Sequence, residues 1–348
     1  MPGLSALQGK YQLELRSTMP KDLCAENIKL HPFTALVTFA RAHQAAWVKS
    51  MYCLNGDSDT DDENTNTAVT PLYNLTKSEW WFHNNTNCPA YPPADGEFLE
   101  LPAGGTFTVE IAQNRAFTTL SYDGELVTDW PDGGNYPANY SESPDCITSP
   151  NLHTQNESMA AGTAFAIAYK SEIEDVEVED LVVFSTLQNT PFKRLATYEV
   201  PAALPACPDE GCICAWGWYA YELASSCGTP NMYHEGFRCT VVNATGTVAV
   251  GAGQAPVWCE DDASTCVSGP KQMLYWNQLD GNNIEVDGYD LAGMPKSPAY
   301  GPKCGFSWGA QNDIFTGDDL SRRYIHRNQR KLGSAGPVDR ASFWAKAK

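Results

Sequence analysis

Short runs of strictly alternating apolar residues, cut apart by glycine and proline, constrain this chain more than any other feature. Phe107, Val109 and Ile111 alternate with Thr106, Thr108 and Glu110, and Phe165, Ile167 and Tyr169 alternate with Ala164, Ala166 and Ala168. Trp216, Trp218 and Ala220 alternate around Gly217 and Tyr219, Leu181–Leu187 is a continuous apolar-rich run, and Phe237–Val242 closes the set. Successive side chains of a strand point to opposite faces, so a period of two marks strands with one face turned to a core. The 23 prolines and 27 glycines punctuate these runs. No long helical period competes, and the spacing predicts an all-β, antiparallel β-sandwich with long loops. Residues 250–318, rich in Gly, Asp and Asn with Tyr275, Trp276, Phe306 and Trp308 among them, read as a loop-rich C-terminal extension packed on that sandwich. Internal repeats and a Ser/Pro-rich linker to an appended module are both lacking.

The charge divides the chain in three. Residues 1–42 hold five basic and three acidic side chains, and residues 319–348 hold eight and two. That leaves 10 basic and 37 acidic residues in 43–318, a net of −27 inside an overall −19. With 43% hydrophobic and 11% aromatic residues, the acidic body can still build a core. A surface of this sign does not suit the phosphates of nucleic acid, which call for Lys/Arg stripes. No apolar run approaches the roughly 20 residues needed to span a bilayer. The expected organisation is a leader over 1–42, one folded domain over 43–318 and a basic, solvated tail over 319–348.

Of twelve cysteines, eleven follow residue 42. Such a density is unusual in a reducing compartment and points to disulfides. Cys207, Cys212 and Cys214 could hint at zinc, but no second Cys pair or neighbouring His completes a tetrahedral site. Five Asn-x-Ser/Thr sequons, at Asn74, Asn84, Asn139, Asn156 and Asn243, agree with secretion. The leader is polar over its first 30 residues, as when translation truly starts further downstream. Pro32–Ala40 supplies a short apolar segment, and Ala40-Arg41-Ala42 supplies a small-x-small cleavage site.

Cleavage after Ala42 would leave His43 at the N-terminus. An N-terminal histidine offers its α-amino group and its imidazole Nδ1 to a single metal as a chelate. With an amine pKa of roughly 7.7–8.0, modest attraction to a cation suffices to deprotonate it near neutral pH. A second imidazole would complete three nitrogens in a plane, an arrangement suited to copper.

Several segments carry a resemblance. His43–Tyr52 reads H-Q-A-A-W-V-K-S-M-Y, followed by Trp80-Trp81-Phe82-His83 and by F-L-E-L-P-A-G-G over Phe98–Gly105. Further on come Ala168-Tyr169-Lys170-Ser171, Pro205-Ala206-Cys207, G-C-I-C-A over Gly211–Ala215, Met232-Tyr233 with Gly236-Phe237, and G-A-Q-N-D-I over Gly309–Ile314. Together they resemble auxiliary activity family 14 of the lytic polysaccharide monooxygenases across about residues 43–315.

The resemblance implies an immunoglobulin-like form of the sandwich and a secreted, monomeric enzyme holding one copper ion per chain. It also implies an external electron donor, O2 or H2O2 as co-substrate, and an insoluble polysaccharide substrate, xylan coating cellulose. His43 matches the first ligand, and Tyr233 matches the axial position. His153, in Asn151-Leu152-His153-Thr154, stands where the second histidine is expected, with His83 as the alternative. His326 lies in the tail, and His234 would point away from Tyr233 on a strand. Related enzymes often carry a Gln two residues before the tyrosine. Here Asn231 keeps the amide but shortens its reach by about 1.5 Å. Cys53 and Cys88, both additions to the family pattern, are expected to pair, and Cys146 is expected to lack its partner.

Two readings of other classes stand beside this one. A copper-binding protein could use the same three residues for copper uptake or wall remodelling without cleaving polysaccharide. A carbohydrate-binding sandwich could use Trp80, Trp81 or Trp276 as a sugar platform. No motif supports a pair of hydrolytic carboxylates.

Overall fold

The computed structural model describes residues 43–142, 146–147, 152–220 and 231–316. The leader and the tail therefore lie outside the described residues.

Among the described residues, nine strands form two sheets. The smaller sheet joins β1 (Ala45–Trp47), β3 (Thr106–Ala112) and β6 (Leu195–Glu199) in the order β1-β3-β6, both pairs antiparallel. The larger has the order β2-β8-β7-β4-β5-β9. It comprises β2 (Leu99–Pro102), β4 (Thr163–Ala168), β5 (Val182–Leu187), β7 (Cys212–Ala220), β8 (Asn231–Val242) and β9 (Gly309–Ala310). Inward side chains of both sheets share one core: Phe107, Val109 and Ile111 of β3 and Tyr198 of β6 meet Phe165, Trp216, Trp218 and Phe237. This is the immunoglobulin-like β-sandwich expected. One pair departs from the antiparallel rule, since β2 runs parallel to β8 with Leu99 opposite Cys239. The only α-helix among the described residues is a single turn, Lys77–Trp80.

The alternation in β4 does not mark a solvated face. Ala164, Ala166 and Ala168 are as buried as Phe165 and Ile167. The C-terminal extension covers that side, packing Met273, Leu274, Tyr275, Tyr300 and Phe306 on the alanines and on Ile213 and Ala215. Small residues there leave room for the bulky aromatics of the loops. The extension also contributes β9, which pairs with β5 through Ala310 and Ser185.

Disulfides join Cys53 to Cys88, Cys207 to Cys212, Cys214 to Cys239 and Cys259 to Cys266. The Cys53–Cys88 expectation holds. The expectation for Cys146 does not, because that cysteine is disulfide-bonded. Among the described residues the unpaired one is Cys304, buried within the extension, where burial raises its thiol pKa to about 11.

Candidate metal centre

Three distant parts of the chain converge at one end of the sandwich. β8 turns Tyr233, Phe237, Cys239 and Val241 into the shared core. Tyr233, near the start of that strand, stands opposite Trp218 of β7 and stacks on it, with centroids 4.6 Å apart and planes at 17°. Trp218 in turn meets His153 edge-on at 5.6 Å. His43 precedes β1, and its Nδ1 lies 2.9 Å from the Tyr233 hydroxyl. The imidazoles of His43 and His153 face one another with nearly parallel planes, 15° apart, and centroids separated by 6.1 Å. Both histidines are half-buried, whereas Tyr233 is 1% exposed. The result is a pair of surface imidazoles over a buried phenol.

Burial raises the Tyr233 pKa well above its ordinary value, and the nearby Glu235 carboxyl raises it further, so the ring carries a neutral hydroxyl. The side chain of Asn231 hydrogen-bonds that hydroxyl. Asn231 is itself buried at the first position of β8. On the same face of β8 as Tyr233, Glu235 accepts a 2.8 Å hydrogen bond from the Ala46 N–H through Oε2. This tie crosses from the large sheet to the edge strand that carries His43. Burial holds the Glu235 carboxyl well above the usual carboxylate range.

The donor set fits copper. Two imidazoles and a phenol are ligands that a copper ion accepts. Among the described residues no cluster of three His, Cys, Asp or Glu offers a rival metal site.

The sequence matches the family described as "Lytic polysaccharide monooxygenase AA14" over residues 27–335. The chain belongs to auxiliary activity family 14 of the lytic polysaccharide monooxygenases. It is 36% identical over 293 residues to AA14 family lytic polysaccharide monooxygenase A of Trametes coccinea, covering 81% of this chain and 63% of that protein. To AA14 family lytic polysaccharide monooxygenase B of Talaromyces rugulosus it is 34% identical over 295 residues, 80% of this chain and 95% of that protein. Thus the match spans under two thirds of the Trametes protein and nearly all of the Talaromyces one. Among solved structures, the extended catalytic domain of H. jecorina LPMO9A aligns with a TM-score of 0.32 and 10% identity, covering 77% of this chain and 94% of that one.

Of the residues singled out in this AA14 chain from sequence, His43, His153, Tyr233 and Asn231 lie together. His83 lies elsewhere, 1% exposed, with neither ring nitrogen hydrogen-bonded. His234 projects to the other face of β8, where its Nδ1 accepts from the Phe82 N–H at 3.0 Å and its ring packs among Trp81, Phe82 and Tyr275. Burial lowers both pKa values to about 3, keeping both rings neutral. Trp80 cannot serve as a platform, because it is fully buried and its indole N–H donates to Asp280 O at 3.1 Å. Trp81 is half-buried under the Lys77 ammonium, 5.3 Å from the ring centre, and Trp276 is half-buried against Tyr219. Trp218 and Glu235 were not singled out. The period of two places both residue types inward, but the register that sets Trp218 opposite Tyr233 is not written in either strand.

Proposed function

We propose that residues 43–318 form a secreted, copper-dependent lytic polysaccharide monooxygenase domain that cleaves xylan coating cellulose oxidatively, acting as a monomer after removal of residues 1–42. The observation that carries this reading is the meeting of His43 and His153 over the Tyr233 hydroxyl, from positions far apart in the chain. Secretion draws support from the disulfides and from the sequons. Asn74, Asn84, Asn139 and Asn243 are exposed, and Asn156 is half-buried. No helix among the described residues is long and apolar enough to cross a membrane.

On this reading His43, through its freed amine and Nδ1, and His153 would hold the ion, with the Tyr233 hydroxyl beside it. Bound copper supplies one-electron chemistry that lets a reductant and O2 or H2O2 attack a C–H bond beside a glycosidic linkage. The chain's own residues supply position. Trp218 fixes the Tyr233 ring by stacking and meets His153 edge-on, so one indole orients two of the three side chains. Asn231 holds the Tyr233 hydroxyl in place. Because both imidazoles are half-buried, an insoluble substrate can approach from outside while the phenol is sheltered from water.

The test is to incubate copper-loaded protein, its N-terminus verified as His43 by mass spectrometry, with xylan-coated cellulose and a reductant. Oxidised oligosaccharides are expected. Bound, redox-active copper without such products would instead identify a copper-binding protein that cleaves no polysaccharide.

A further inference from the structure

The described tryptophan with the greatest exposure, Trp308 at 38%, immediately precedes β9. It lines a cleft of about 230 Å³ with Trp258, Met159, Pro295, Ser297 and Lys303. Its setting is rigid. Gly162 and Gly301 back the indole so closely that a Cβ on either would come 2.9 or 2.8 Å from a ring carbon. The neighbouring Ser307 carbonyl is held by Thr186 Oγ1 at 2.7 Å and by the Gln311 side chain. Trp258 is differently placed, since the ammonium groups of Lys296 and Lys303 sit 5.4 and 5.5 Å from its ring centre. Trp308 therefore supplies the aromatic wall, and Ser297 and Lys303 supply hydroxyl and ammonium at the rim.

A flat apolar wall bordered by hydrogen-bonding groups matches a pyranose ring, whose C–H face is apolar and whose hydroxyls project from its edge. A volume of this size suits one such ring better than a folded peptide segment. The cleft is also tied to the candidate metal centre through a short stretch of chain. Met159 follows His153 by six residues, which limits their separation to about 21 Å. Just beyond it, Thr163 of β4 pairs with Trp218, the residue that contacts His153 and Tyr233. Cleft and centre thus share one end of the large sheet, a few sugar rings apart.

We infer that the Trp308 cleft is a sugar-binding subsite, holding one pyranose ring of the same polysaccharide chain that lies across His43 and His153. This rests on the function proposed above and adds to it a grip on the substrate that needs no metal. Binding isotherms on xylan-coated cellulose, with metal stripped from the protein by chelation, test it. Trp308→Ala is expected to weaken binding about tenfold, as loss of an aromatic stacking partner does. Trp308→Phe should retain most of the affinity, and Tyr73→Ala, which alters another exposed aromatic, should leave it unchanged. The copper EPR spectrum of Trp308→Ala should match wild type, and its thermal melt should remain a single cooperative transition. Unaltered binding by Trp308→Ala, or no binding by the wild-type protein, overturns the subsite. So would an indole N–H resonance of Trp308 that shifts with catechol but not with xylohexaose, which would assign the cleft to an aromatic small molecule. Trp308-dependent binding with no oxidised product would leave the subsite standing and remove the monooxygenase reading alone.

Discussion

Nδ1 of His43 lies 2.9 Å from the hydroxyl of Tyr233, although 190 residues separate the two in sequence. The contact joins the start of the small sheet to the large sheet and orients the first imidazole toward the phenol. Tyr233→Phe keeps the ring and its stack on Trp218 but removes the hydroxyl, depriving His43 and the buried Asn231 amide of a shared partner. A stability loss of about 1–3 kcal/mol is expected in urea unfolding of the metal-free protein. The copper EPR spectrum should change as well, since the hydroxyl beside His43 is gone. An unchanged spectrum would remove Tyr233 from the metal's surroundings.

The α-amine of His43 exists only after cleavage at Ala42. A variant that carries Gly-Ser-Pro-Pro ahead of His43 turns that amine into an amide, a far poorer copper donor, and places no histidine third from the new N-terminus. Loss of an outer partner of a metal ligand costs roughly 10–100-fold in affinity, and loss of a ligand should cost more. Competition against a chelator of known strength measures this directly. Equal affinity for both forms would show that the amine takes no part.

Much of this architecture is legible from local pattern. The alternation in Phe107–Ile111 and in Trp216–Trp218 reports β3 and β7 because each side chain's environment follows from the period of the strand. His234, one residue beyond Tyr233, falls on the opposite face for the same reason. What local pattern does not contain is pairing. β2 looks like any short strand, and nothing within Leu99–Pro102 says that it runs parallel to β8. The alanines of β4 read as a half-solvated face because the residues that bury them lie about a hundred positions downstream, in loops with no period at all. The Trp-Trp-Phe-His segment looks suited to a surface platform or a ligand. Yet Phe82 and His83 adopt left-handed backbone conformations that carry both side chains inside.

His83 makes that burial measurable. Its folded pKa is lowered to about 3 by burial, while the unfolded chain titrates near 6.5. Between those values the unfolded state binds a proton that the folded state does not, so stability falls as pH drops from 6.5 toward 3. His234 acts in the same direction. His83→Leu removes one of the two contributions, so the variant should lose less stability than wild type on going from pH 7 to pH 4. The difference between them should reach a few kcal/mol by the acid end. Denaturant midpoints at several pH values give the comparison. Parallel curves would mean that His83 is protonated or solvated in the fold.

Glu235 offers a separate handle on how His43 is held. β1 has a strand neighbour on one side only, β3, and the Ala46 N–H turns the other way to Glu235 Oε2. Glu235→Ala would leave that N–H without an acceptor and open a cavity beside Ala46. The expected cost is about 2–4 kcal/mol. Glu235→Gln retains an oxygen at the same reach and should cost less than about 1 kcal/mol. Because β1 leads directly from His43, the alanine variant should also bind copper more weakly, while the glutamine variant should bind it as wild type does. Equal copper affinity in all three, alongside the expected stability loss in the alanine variant, would mean that the Ala46–Glu235 tie supports the fold without positioning His43.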